Sequence, residues 1–204
     1  MHVISLGSNC YCKSALDRAG YPGDPMPFDW LSTTLPMVQH CIEDNFAKLR
    51  DPYYFREVIR DGKTQIKHTV YVNHWDTTFT HYDPRSPMGA EYFQRSIDRW
   101  TAAMLSDEPK SLVFVSAIFP FEVDRYIGEI VRLNSAITAC TRNATLCGVT
   151  VSHDQTNPSV SEREVHEGYV HYTSRSRMRG IRFEDEADDM AISKVIRRMV
   201  GAER

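Results

Sequence analysis

The 204-residue sequence lacks an excess of charge of either sign, with 24 Lys and Arg against 27 Asp and Glu and a formal net charge of −3. A pI near 6.2 argues against a dedicated nucleic-acid binder, which carries a basic face. No apolar run approaches the ~20 residues needed to span a bilayer. The amino-terminal residues show no basic segment followed by an apolar core, so no secretory signal is read there. Cysteines are few and odd in number, five in all, without disulfide-framework spacing, which suits a reducing interior and makes the cytoplasm the expected location. Paired zinc-ligand spacing is also missing. Cys10 and Cys12 form a lone C-x-C, and His68, His74 and His81 stand too far apart, so no metal is expected. Nor is there a repeat, a low-complexity tract or a clear linker.

What is present is ordinary globular material, 42% hydrophobic and 25% charged. This is enough to bury a core without staples, and residues 1–204 are expected to form one domain. The most informative stretch is Val3-Ile4-Ser5-Leu6-Gly7-Ser8-Asn9-Cys10. A short apolar run meets a glycine that permits a tight turn, then two good N-cap residues. A helix over Tyr11–Ala19 follows, closed by Gly20. A thiol at a helix start faces unpaired N–H groups and the positive end of the dipole, which favour the thiolate. Cysteine at such a place also serves as ordinary packing.

Further along, Pro36 to Leu49 predicts one amphipathic helix through Val38, Ile42, Phe46 and Leu49, and Tyr53–Arg60 predicts a short helix. Lys63–Asn73 alternates as a strand. Phe93, Ile97, Trp100 and Met104 mark a helix that also carries Arg95 and Arg99. Ser111–Phe119 is continuously apolar, as in a central strand covered on both faces. A helix over Val123–Leu133 and strands at Thr145–Ser152 and Val165–Tyr172 come next. The last helix, Glu186–Val200, begins acidic and ends with Arg197 and Arg198. Strands separated by amphipathic helices predict an α/β fold, a three-layer domain with a largely parallel central sheet flanked by helices. Ligands bind such sheets beyond the carboxyl ends of their strands, where Cys10, Ser116 and His153 converge.

Ser5-Leu6-Gly7-Ser8-Asn9-Cys10 followed by Pro27-Phe28-Asp29-Trp30 resembles a bacterial and large-virus family labelled "putative papain-like cysteine peptidases". Its members share a Leu-Gly-x-Asn-Cys block, then Pro-Phe-Asp-Trp, then a Phe-x-His motif, here matched by Phe79-Thr80-His81. Arg95 and Arg99 match an arginine helix, and Leu112–Val115 a buried strand. The likeness covers roughly residues 2 to 120. It implies Cys10 as nucleophile and His81 as base, with nearby Asp83 in the place of a papain-like third residue. The βαβ pattern differs from the papain fold, and the strand–turn–helix is also similar to that of certain capsular-polysaccharide acetyltransferases.

Three readings therefore stand. In the first, a cysteine-dependent hydrolase or acyl transferase uses Cys10, with His81 and Asp83 or alternatively His153 and Asp154 as the base pair. Ser8, Asn9, Asp29 and Trp30 then hold the oxyanion or substrate, and no cofactor is needed. In the second, a sugar or polysaccharide-modifying transferase takes a coenzyme A or nucleotide-linked donor, its phosphates clamped by Arg175, Arg177 and Arg179. In the third, a non-catalytic module uses the Gly7–Cys10 turn as an anion nest. The substrate is a small molecule, peptide or saccharide, which the sequence does not specify.

Overall fold

The computed structural model describes residues 1–60, 62–72, 77–153 and 161–201. In chain order the first half comprises β1 (His2–Ser5), α1 (Cys10–Arg18), α2 (Leu35–Glu43), α3 (Ala47–Arg50), β2 (Phe55–Arg60), β3 (Lys63–His68) and α4 (Pro87–Leu105). The second half comprises β4 (Lys110–Ala117), α5 (Val123–Cys140), β5 (Ala144–His153), β6 (Ser161–His166), β7 (Tyr169–Ser174), β8 (Met178–Arg179), β9 (Arg182–Phe183) and α6 (Glu186–Val200).

Five strands form a central sheet in the order β1-β4-β5-β7-β6. All neighbours are parallel except the edge strand β6, which runs antiparallel to β7. The apolar run of β4 explains its central place. Leu112 and Phe114 point into a core shared with α2, α4 and α5, while Val113 and Val115 point into a second core shared with α1 and α6. Helices thus cover both faces, giving an α/β architecture with a mostly parallel sheet. Among the described residues, no helix is long and apolar enough to cross a membrane.

The helix ends follow local chemistry. Ser86 caps α4 by accepting the Gly89 N–H at 3.0 Å, with Pro87 in the first turn. α6 begins with Glu186, Asp188 and Asp189 and closes on Gly201 at φ +84°.

Four local expectations fail. The helix expected over Tyr53–Arg60 is instead the strand β2, paired antiparallel with β3 from Phe55↔His68 to Arg60↔Lys63. The β-branched Val58 and Ile59 suit that pairing. β3 stops at His68 because its Nδ1 accepts the Val70 N–H at 3.2 Å and turns the chain. The helix expected from Pro36 to Leu49 breaks at Asn45 and Phe46, both at positive φ. That break turns the Phe46 ring onto Phe28 and Trp100, with centroids 5.4 and 5.9 Å apart. The strand expected over Val165–Tyr172 is a hairpin, reversed at Gly168 (φ +71°), where a Cβ would stand 2.6 Å from the Leu146 carbonyl oxygen.

Candidate active site

The carboxyl end of β1 leads through Leu6, Gly7, Ser8 and Asn9 into α1. Gly7 lies at φ +80° and Ser8 at φ +97°, a conformation that costs a non-glycine residue about 1–3 kcal/mol. Hydrogen bonds hold it. The Ser8 N–H donates to Thr33 Oγ1 at 2.6 Å, the Thr33 N–H donates to Ser8 O at 3.2 Å, and Thr33 Oγ1 donates to Leu6 O at 3.1 Å. Ser8 Oγ reaches across to Ser116 Oγ on β4 at 3.0 Å. Asn9, extended at φ −162°, caps α1 by accepting the Tyr11 N–H at 2.8 Å. Cys10 is therefore delivered as the first residue of α1, at the carboxyl edge of the sheet.

A second segment meets it there. Leu31 bridges Phe79 antiparallel, and Phe79 bridges Ile66 of β3. The Ser32 N–H donates to Thr78 O at 3.1 Å. This pairing sets Trp30 beside Thr80 and His81. The outcome is a thiol–imidazole contact between residues 71 positions apart, with Cys10 Sγ 2.7 Å from His81 Nε2. The Trp30 ring meets the imidazole at a 66° interplanar angle, with centroids 5.3 Å apart.

The electrostatics differ from the thiolate expected at a helix start. Burial pushes the Cys10 thiol above its ordinary range, and it outweighs both the Thr80 side-chain hydrogen bond and the Cys10 backbone N–H, which act the other way. Burial likewise lowers the His81 imidazole below its ordinary range. Both directions favour a neutral thiol beside a neutral imidazole.

Two cavities flank the pair. One, of about 490 Å³, is lined by Asn9, Cys10, Arg60, Gln65, Thr80 and Met178 among others. The other, of about 610 Å³, lies beyond the imidazole and is lined by Trp30, Tyr82, Met88 and Tyr92 among others. His81 belongs to both. Residues of β2 and β3 reach the first cavity because those segments form a ribbon. The 178–181 hairpin forms its opposite rim, secured from below by Asp188. That carboxylate accepts the Ser176 N–H at 2.9 Å and the Tyr172 hydroxyl at 3.0 Å.

The remaining candidates fall as follows. Asp83 does not hydrogen-bond to His81; Arg85 holds its carboxylate in a bidentate pair, at 2.9 Å to Oδ1 and 2.7 Å to Oδ2. His153 lines neither cavity, and its Nδ1 faces Ser174 O at 3.3 Å. Asp154 lies outside the described residues. Arg175, Arg177 and Arg179 are exposed and absent from both cavity walls, and Arg179 pairs with Glu184 at 2.6 Å. Among the described residues, no group of three His, Cys, Asp or Glu side chains is placed to hold a metal ion. Thr80, Tyr82 and Tyr92 escape the sequence reading. Their only sequence signal is adjacency to His81 or a place on the arginine helix.

Asp29 is a buried structural group and not a cleft residue. It is 1% exposed, its Oδ2 accepts the Met26 N–H at 2.8 Å, and burial pushes its carboxyl up to about 6. A carboxyl raised on folding is bound more tightly when protonated, so stability is full below the unfolded value and falls as pH rises toward 6. The expected loss is about 2–3 kcal/mol between pH 4 and 7. Denaturant titrations should show it as a difference between the wild type and Asp29→Asn; parallel pH curves for the two proteins would contradict it.

A thiol and an imidazole in contact beyond the ends of parallel strands define a cysteine–histidine protein of the α/β class. The family described as "Putative papain-like cysteine peptidase" matches residues 1–156, and the chain belongs to it. No curated protein and no solved structure matches the chain significantly. The matched stretch carries Cys10, Trp30, His81 and Tyr92, whereas Met178, Gly180 and Ile181 of the cleft rim come from beyond it.

Proposed function

We propose that the chain is a cysteine-dependent acyl hydrolase or transferase in which Cys10 is the nucleophile and His81 its general base. The observation that carries this reading is the 2.7 Å Sγ–Nε2 contact, formed by distant segments in the wall of a cleft. As Sγ attacks a carbonyl carbon, Nε2 takes the thiol proton and the carbonyl oxygen gains the charge. The Cys10 N–H and Asn9 Nδ2 are the donors assigned to that charge in this reading. Among the described residues, Asn9 Nδ2 meets Met178 Sδ at 3.9 Å. Collapse breaks the bond to the leaving atom, which takes the proton back from Nε2. Water, or another acceptor, then attacks the thioester with His81 again as base. Trp30 supports the imidazole by packing, where a carboxylate would do so by hydrogen bonding. The family description offers a peptide as the substrate class.

The test is acetylation by 4-nitrophenyl acetate. The wild type should release a nitrophenolate burst of about one equivalent, with the acetyl group located on Cys10 by peptide mass mapping, and Cys10→Ser should lose the burst. A burst that persists in Cys10→Ser, or an acetyl group found on another residue, would overturn the proposal.

A further inference from the structure

We infer that the aromatic cavity behind His81 receives the leaving group, and that its occupant is neutral and aromatic or bulky and apolar. The inference rests on the Cys10–His81 reading and gives that site a direction. When the tetrahedral adduct collapses, the C–X bond breaks and the proton on Nε2 passes to X. X must therefore lie on the imidazole side, while the acyl carbon stays on Sγ. The acyl portion then occupies the 490 Å³ cleft of Asn9, Cys10 and Gln65. Whatever is attached to X passes the Trp30–His81 wall into the 610 Å³ cavity, a volume within the range of small-ligand sites.

The walls select the occupant. Trp30, Tyr82 and Tyr92 supply three rings, and those of Tyr82 and Tyr92 meet at 64° with centroids 5.1 Å apart. An aromatic guest can join such an edge-to-face set. Neither tyrosine hydroxyl hydrogen-bonds to another described residue, so each has a donor to offer a guest, and burial keeps the Tyr82 phenol protonated. The charged groups of the wall are already committed: Arg95 pairs with Glu91, and Asp83 pairs with Arg85 at 2.7 Å. Among the described wall residues, both charged side chains are paired, which favours a neutral guest over a charged one. The backing is fixed by Gly89 in α4, where a Cβ would stand 2.0 Å from Asp83 O; its absence lets the Tyr82–Asp83 backbone lie directly on that helix. Met88, 79% exposed, forms the outer lip.

Three esters test this through the rate of Cys10 acylation: 2-naphthyl acetate, trifluoroethyl acetate and trifluoroethyl 2-naphthoate. Comparing ratios between proteins cancels intrinsic reactivity. Tyr92→Ala should lower the naphthyl acetate to trifluoroethyl acetate ratio about tenfold relative to wild type. Met88→Glu, at an exposed position that folding tolerates, should lower it about threefold by placing a charge at the lip. The naphthoate to trifluoroethyl acetate ratio, which puts the ring on the acyl side, should be the same in all three proteins. A leaving-group ratio within twofold of wild type in both variants overturns the inference while leaving the nucleophile assignment standing, as does an equal fall in the naphthoate ratio. If no ester acylates Cys10 in the wild type, the nucleophile assignment fails and this inference falls with it.

Discussion

Replacing His81 by alanine is expected to lower kcat/KM for acyl transfer by about 10²–10⁴-fold, the range for removal of a general base. The expected loss is large because, near neutral pH, the thiol needs a neighbouring base to take its proton. Burial holds it in the neutral form, and His81 Nε2, 2.7 Å away, is the acceptor in reach. Asp83→Ala provides the contrast. Its carboxylate is engaged by Arg85 and does not touch the imidazole, so the rate should stay within about threefold. Steady-state kinetics on a 4-nitrophenyl ester measures both variants. Equal losses would mean that a carboxylate–imidazole pair forms in the working enzyme, and a small loss in His81→Ala would remove the base from the account.

Gly7→Ala is expected to destabilise the fold by about 3 kcal/mol or more, combining left-handed backbone strain with direct overlap. At φ +80° a Cβ would stand 2.8 Å from Phe28 O and 2.5 Å from Thr33 Oγ1. Neither neighbour can yield cheaply, because Thr33 Oγ1 receives the Ser8 N–H and donates to Leu6 O. Gly20→Ala shares the positive φ (+94°) but meets nothing within 4 Å, so it should cost only about 1 kcal/mol. Denaturant midpoints of the two variants separate overlap from backbone strain. Similar losses for both would show that the turn relaxes around an added methyl group.

The strand–turn–helix at Cys10 is legible in the sequence because its determinants are local. Gly7 supplies the turn, Asn9 the cap, and Val3 to Leu6 the buried run. The covered central strand is legible for the same reason, since the unbroken apolar stretch of β4 admits little else. The partner of Cys10 is another matter. In the sequence His153 has the strand-end position, and only the family resemblance favours His81. What separates them in space is the Leu31–Phe79 bridge, a pairing between segments that no periodicity encodes. Of the β2–β3 ribbon, β3 is legible by its alternation, whereas β2 reads as a helix because its residues tolerate one until pairing with β3 and burial of Phe55 decide the matter. The sequence predicts a depressed thiol because a helix start is readable there, whereas the burial that raises it is not. The acidic first turn of α6 is legible as a match to the helix dipole, yet Asp188 and Asp189 are buried anchors, the latter accepting from the Tyr11 hydroxyl and Arg18, both at 3.0 Å.

The most direct test of the sulfur–imidazole pair is the pH dependence of Cys10 alkylation by iodoacetamide, in the wild type and in His81→Ala. For the wild type, the rate should fall as pH drops through the lowered His81 value, below about 6.5, where the protonated imidazole can no longer accept. A plateau of imidazole-assisted reaction should follow through neutrality. A further rise belongs above pH ~8.5, where the raised thiol ionises on its own. His81→Ala should lose the plateau and keep only the alkaline rise. Superimposable profiles for the two proteins would contradict the account, because they would mean that the sulfur reacts without its neighbour.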